Sequence, residues 1–533
     1  MWFRDLKSKL RGSARTTRDL TVAAIASAFA FAPVEGFAKP AQSACLEECF
    51  VLTDLRIQGV TAFPLAELAG TYEESLARRV GVGDLVRIAA AITEKYRTHG
   101  YFLTRAAVAP HDGVSGSATV VVYEGYIGEV VITGDGASAI RPLLIPLEGR
   151  RPLNIYDLDR ALALAGDVPG VSLTSRIEPV LGDPARHRLV IETELRRFAG
   201  ALYLENRGSE AQGPVQAYLT SSGNSLVRPG DQLTLSTLTT PERVDELTFA
   251  EWAYSMPLGD GRRLRAALSG YTTDAPPATT NGWLSGRSAA LLVNVAHPLI
   301  RSRRQNLWLN TGLDVRHVEQ TYSVTGAADE NLTVARLSLT GSRVVEGGYF
   351  SGTLQISQGL DAFGATATNA LDLTRSDADG IFTKVNLGLS AYHDIGRFAG
   401  LYGQIGAQWS GDPLLNAEEF SIGGATFGRA YNYGEISGDR ALAAMVELRL
   451  GWDPAPQSIR FLQMFLFFDA AAVSNHGFDG RRSDELSSAG GGVRITLQGD
   501  TVLKLELAKP LDRIPFTEQD NDWRAFLSLS SPL

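Results

Sequence analysis

The sequence predicts a mainly β protein, with two small α+β modules followed by a sixteen-stranded antiparallel barrel that crosses a membrane. Three observations carry that reading. Helical periodicity stops near Phe198, and period-two alternation runs from there to the C-terminus. Strand candidates begin near Phe198, Gly213, Gln232, Asp245, Arg262, Arg287, Gln305, Leu332, Gly347, Phe382, Phe398, Arg440, Phe461, Gly490, Thr501 and Trp523, an even number. They are spaced by roughly 21 residues, which fits tilted membrane strands of about ten residues plus a connection. Finally, no run beyond the N-terminal segment is apolar and long enough for a membrane helix. A composition of 44% hydrophobic and 20% charged residues is that of an ordinary soluble protein, and equally of an outer-membrane barrel, where lipid-facing and lumen-facing positions alternate and dilute each other.

Residues 1–38 read as an export signal. Arg4, Lys7, Lys9, Arg11, Arg15 and Arg18 form a basic lead, and Leu20 to Ala32 is the apolar centre. Cleavage fits after Ala28-Phe29-Ala30 or Gly36-Phe37-Ala38. A short segment, 39–49, holds the only two cysteines, Cys45 and Cys49. An oxidising compartment would let them close a small disulfide loop. Lipidation of Cys45 is the other reading, with Gln42 standing where an aliphatic residue would be wanted.

Residues 50–125 and 126–196 form two copies of one β-α-α-β-β order. In the first, Phe50–Gln58 alternates and stops at Gly59, and Pro64–Leu76 is a polar helical stretch. Asp84 caps a clearer helix with Leu85, Ile88, Ile92 and Tyr96 on one face, and Gly100 ends it. Tyr101–Val108 and Ser117–Tyr123 close the module. In the second, Glu129–Thr133, the short helix Ala139–Leu147, a helix opened by Asp157 over Leu158–Ala165, Val171–Ile177 and Arg188–Leu195 repeat the order. Edge strands in such modules can accept a strand from an extended client. Tyr101–Val108, with Tyr101, Phe102, Leu103 and Arg105, and Val171–Ile177 are the candidate edges; inert spacers are the alternative.

Residues 197–533 are the barrel. Leu503, Leu505 and Leu507 lie opposite Lys504 and Glu506, and Leu442, Val446, Leu448 and Leu450 lie opposite Glu447 and Arg449, which are assigned to the lumen wall. Tyr254-Ser255-Met256-Pro257-Leu258 and Ala296-His297-Pro298-Leu299 read as short periplasmic turns. The long gap after the eleventh strand is then an outer loop. It carries Phe420-Ser421-Ile422-Gly423-Gly424-Ala425-Thr426-Phe427-Gly428-Arg429-Ala430-Tyr431, where Gly423, Gly424 and Gly428 permit backbone shapes other residues avoid. If Asp469 on the thirteenth strand points inward, so do Gln463, Phe465 and Phe467. A carboxylate toward lipid would be costly. An arginine on a loop folded into the pore could meet that carboxylate through paired hydrogen bonds, with Phe467 and Tyr431 as packing surface. A solvated loop charge is the plainer alternative.

These residues resemble the transporters of two-partner secretion, the haemolysin-secretion/activation type. The first module resembles that family's POTRA module in Tyr96-Arg97-Thr98-His99-Gly100-Tyr101-Phe102-Leu103-Thr104-Arg105-Ala106 and in Glu124-Gly125-Tyr126-Ile127-Gly128-Glu129. The two proline turns resemble family turns as well. In the family, the sixth outer loop carries an arginine motif that contacts the aspartate of a Phe-x-Asp motif on the wall. Arg429 and Phe467-x-Asp469 match it, with Gly428 and Ala430 replacing the flanking valine and glycine. The resemblance implies an outer-membrane protein with periplasmic POTRA modules, acting as a monomer among outer-membrane lipid. It would export an unfolded exoprotein, haemolysin- or filamentous-haemagglutinin-like, with no cofactor. The short 39–49 segment leaves no room for the pore-plugging helix of related transporters, and the terminal Ser530-Ser531-Pro532-Leu533 departs from their aromatic ending.

Other functions fit less well. Seven scattered histidines form no metal-ligand spacing, and there is no Gly-x-Ser-x-Gly elbow or phosphate loop, so an enzyme is not expected. A net charge of −9 argues against nucleic acid as a partner. An assembly or insertion factor of the same superfamily is the alternative function, although such factors carry more POTRA modules. A passive porin would need none.

Overall fold

A computed structural model describes residues 49–533 except 112–114, 210–212, 276–283, 323–325, 368–369, 455–457 and 478–481. The signal segment, Cys45 and the question of a plug helix lie outside the described residues; Cys49 is in a disulfide. The chain divides into two compact units, one ending at Leu195 and one beginning at Arg196.

In the first module a sheet of Asp54–Gln58, Ser117–Tyr123 and Arg105–Val108 is covered by the helix Val82–Thr98. Leu85, Ile88, Ile92 and Tyr96 face Leu52, Leu55, Val120 and Val122, as their spacing predicts. The cap differs from expectation. Gly81 is the N-cap, and Asp84 lies inside the first turn, its carboxylate accepting the Gly81 N–H at 2.9 Å. The polar stretch before it forms only one helical turn, Leu65–Leu68, followed by short 3₁₀ turns.

Buried Glu124 ties the module together. It accepts the Thr61 N–H at 2.7 Å, the Ala62 N–H at 2.9 Å, the Tyr96 hydroxyl at 2.7 Å and the Thr61 hydroxyl. Burial alone would raise its pKa, but these donors favour the charged form and hold it below the usual carboxylate range.

The second module packs the helices Ala137–Leu144 and Ile155–Gly166 on a sheet of Tyr126–Gly134, Arg186–Leu195 and Val171–Pro179. Asn154 is the N-cap of the second helix, its side chain accepting the Tyr156 N–H, so Asp157 is within the helix.

The expected strand Tyr101–Val108 is shorter than predicted, and only Arg105–Val108 pairs. Tyr101 stacks edge-on with Phe63 and Tyr96, while Leu103 and Phe102 enter the core of the second module. Three of the four predicted client-edge residues are therefore packing residues. Their consecutive apolar side chains form a joint between modules, also held by Ile155 N–H to Gly100 O at 2.8 Å and Leu153 N–H to Gly125 O at 2.9 Å.

From Phe198 sixteen antiparallel strands close into a barrel, with the last, Arg524–Pro532, returning to the first, Phe198–Glu205. The thirteenth, Ile459–Asn475, displays the logic of the wall. Met464, Leu466 and Phe468 are 48%, 63% and 46% exposed outward, whereas Phe465, Phe467 and Asp469 are buried inward. A soluble barrel would have the reverse, so the outer face is built for lipid. Pro257 and Pro298 do not sit in turns as predicted. Each lies near the end of a strand that continues past it, Leu247–Gly259 and Leu284–Arg301, at a register shift. A bulge tolerates the missing N–H there.

Candidate pore-loop site

The connection between the eleventh strand, Ala399–Ser410, and the twelfth, Arg440–Trp452, folds into the lumen. It forms a small hairpin of Phe420–Ile422 and Ile436–Gly438, and Ile422, Phe427, Ala430, Tyr431 and Ile436 pack with Phe465, Phe467 and Phe526 of the wall. Gly423, at φ +122°, is required by crowding as well as conformation, since a Cβ there would lie 1.9 Å from the Asn432 carbonyl oxygen. Gly428, at φ +71°, turns the chain so that two successive N–H groups face the wall. Ala430 does not adopt a left-handed conformation, so the absence of the family glycine leaves the path unstrained.

Those two N–H groups are what Asp469 receives. Its carboxylate accepts Gly428 N–H at 2.9 Å, Arg429 N–H at 3.2 Å and the Ser488 hydroxyl at 2.7 Å. The expected side-chain pair between Arg429 and Asp469 is thus replaced by a backbone clasp.

The guanidinium reaches further, to two carboxylates. Nε donates to Glu506 Oε1 at 3.1 Å, Nη2 to Glu506 Oε2, and Nη1 to Glu447 Oε2 at 2.8 Å. Its plane lies 3.7 Å from the centre of the Phe467 ring. The side chain is 2% exposed, so a dry fork and two carboxylates replace its hydration. Tyr431 is also buried, with its hydroxyl 3.1 Å from the carbonyls of Ser487 and Arg513.

The wall carboxylates keep partners of their own. Arg494 donates to both oxygens of Glu447 at 2.7 and 2.8 Å, and Arg449 donates to Oε1 at 2.7 Å while lying over Tyr402. Lys504 and Arg207 pair with Glu506. Both predicted lumen-wall residues, Glu447 and Arg449, do face the lumen. If the loop leaves, Glu447 and Glu506 are not stranded as lone buried charges.

At the base of the loop the polarity is reversed. Glu418 pairs with Arg336 at 2.6 Å and Lys384 at 2.8 Å, and Arg336 also meets Asp314 at 3.1 Å. Sequence reasoning missed Glu506, Arg207, Glu418 and Arg336 as site residues. Glu506 had a signal, as the polar position of the cleanest alternating strand. The others have none, because their partners are far away along the chain.

A family model described as haemolysin secretion/activation protein ShlB/FhaC/HecB matches residues 188–495, and a POTRA domain model of ShlB type matches 50–125. The chain is 22% identical over 478 residues to the heme/hemopexin transporter protein HuxB of Haemophilus influenzae (strain 86-028NP), covering 84% of this chain and 80% of that protein. It is 24% identical over 412 residues to the hemolysin transporter protein ShlB of Serratia marcescens, covering 74% and 70%. The solved structure of CdiB from Escherichia coli matches with a TM-score of 0.75 at 18% identity, over 93% of both chains. That of BamA from Haemophilus ducreyi lacking POTRA domains 1–3 matches with a TM-score of 0.53 at 13% identity, over 91% of this chain and 100% of that one. These two likenesses show the fold.

Proposed function

The chain belongs to the haemolysin secretion/activation family of outer-membrane transporters, and from that premise we propose that its POTRA modules capture an unfolded exoprotein in the periplasm and that its Arg429 loop gates the exoprotein's exit. The protein is an outer-membrane β-barrel transporter of two-partner secretion and not an enzyme. The single observation that supports the gate is Arg429, buried between Glu447 and Glu506 with its backbone held by Asp469.

The client is a secreted protein of the haemolysin or filamentous-haemagglutinin kind, threaded while extended through a lumen served by one copy of the chain. Two sheet edges in the modules, Arg105–Val108 and Val171–Pro179, leave one side of each strand unpaired and suit strand addition by that client. Folding of the client outside would make the movement directional. The BamA likeness is one of fold and does not favour barrel insertion over secretion.

The test is export of the large protein that disappears from the medium when this chain is deleted, measured for Arg429→Ala and Asp469→Ala. Secretion should fall in both while each variant remains a heat-modifiable barrel in the membrane. Full export by both would remove the gate, and export unaffected by deleting residues 50–195 would remove the capture role.

A further inference from the structure

We infer that the inward loop staples the seam where the barrel closes, with Arg207 as the positioning residue, so that withdrawing the loop to open the pore also loosens the first and last strands from each other. The inference rests on the loop being the gate. The seam is the weakest join in the wall. Strands one and sixteen share five residue pairs, Ala201–Glu205 with Ser528–Pro532, whereas the other neighbouring strands share from seven to eighteen. One of the five contains Pro532, which has no N–H to give. Beyond the ladder, Leu533 N–H reaches Gly200 O at 2.9 Å at one end, and at the other Asn206 donates its N–H to Leu527 O at 3.3 Å while its side chain accepts the Leu527 N–H at 2.7 Å and donates to Ala525 O at 3.2 Å.

The loop grips both sides of this join from within. On the first-strand side, Tyr433 donates to Glu205 at 2.9 Å. Arg207, just past that strand and 5% exposed, donates to the Arg429 carbonyl at 2.8 Å and to Glu506 on the fifteenth strand. Its guanidinium lies 3.8 Å from the centre of the Phe526 ring on the sixteenth strand. On the sixteenth-strand side, Arg524 donates to the Ala430 carbonyl at 2.8 Å and to the Asn432 side chain. Arg207 therefore joins strand one, strand fifteen, strand sixteen and the loop, and it spans a seam whose own ladder is short. Its bond to the loop is made to the backbone carbonyl of Arg429 itself, so it cannot persist once Arg429 has moved.

Hydrogen exchange of the full chain in lipid nanodiscs tests this. In Arg207→Gln and in Arg429→Ala, amides of 198–206 and 526–533 should exchange about tenfold faster or more, the loss expected for a buried charged hydrogen bond. Amides of the seventh and eighth strands should not change, which separates a seam effect from general weakening of the barrel. Tyr433→Phe removes the bond to Glu205 and a contact with the Ala425 backbone inside the loop, leaves Arg207 in place, and should give a smaller rise confined to 198–206; it remains informative if Arg207→Gln fails to assemble. An unchanged seam in all three variants, or a rise spread evenly around the barrel, overturns the inference. A faster seam in variants that still export fully would leave the staple standing and remove the gate.

Discussion

The division of labour between Glu506 and Asp469 can be measured as a coupling energy. Alanine at position 429 removes the guanidinium but keeps the backbone N–H that Asp469 accepts. Arg429 and Glu506 should therefore be strongly coupled in a double-mutant cycle, and Arg429 and Asp469 weakly. Breaking a buried pair by removing one partner costs about 3–5 kcal/mol. Arg429→Ala belongs at the lower end, because Glu506 retains Lys504 and Arg207 while Glu447 retains Arg449 and Arg494. Glu506→Ala belongs at the upper end, since it leaves Arg429, Arg207 and Lys504 crowded around one fewer carboxylate. The Arg429–Glu506 coupling should be about 2–3 kcal/mol and the Arg429–Asp469 coupling below about 1 kcal/mol. The assay is the opening free energy of loop amides 420–438, from hydrogen exchange of the single and double alanine variants. A coupling to Asp469 as large as that to Glu506 would refute the assignment of the guanidinium to Glu506 and of the backbone to Asp469.

Other outcomes are expected elsewhere in the chain. Gly423→Ala forces a Cβ against the Asn432 carbonyl and a left-handed alanine, so protease should cut the loop in intact outer membranes where it spares the parent. Phe467→Leu keeps an apolar wall but removes the ring beneath Arg429, and should lower loop protection by about 1–2 kcal/mol in the same exchange experiment. Glu124→Gln should weaken the first module by about 1.5–3 kcal/mol, read as exchange of helix amides 82–98 in the full chain.

Acid should weaken the modules in two steps. In the second, burial and the nearby charge of Arg105 push the pKa of His187 below its ordinary 6.5 despite the hydrogen bond to Ala185. The unfolded chain then binds the extra proton, so stability present above pH 6.5 is lost as pH falls below it. In the first, the depressed Glu124 contributes stability above 4.5 that is lost on further acidification. Opening free energies of amides 171–195, taken from exchange corrected for its intrinsic pH dependence, that did not fall between pH 7.5 and 5.5 would contradict the His187 step.

The sequence by itself determined the class of this protein, the number of barrel strands and the sidedness of the twelfth, thirteenth and fifteenth. Period two is a local property that a soluble sandwich shares, and it was the even strand count and spacing that pointed to a closed wall with lipid outside and a polar lumen. The loop was legible for the same reason, since glycines crowded around one arginine mark a backbone path that few sequences allow. The joint at Tyr101–Leu103 was misread as part of an edge strand because a short apolar run does not say which module its side chains enter.

Only the tertiary structure decided what Arg429 holds. Its partners lie 18 and 77 residues away on different strands, and Arg207 reaches the loop from 222 residues upstream. Which inward carboxylate meets a guanidinium and which meets its backbone depends on strand stagger and on the depth to which the loop descends. Neither quantity is written in any local stretch of residues, because both are set by closing the whole sheet on itself.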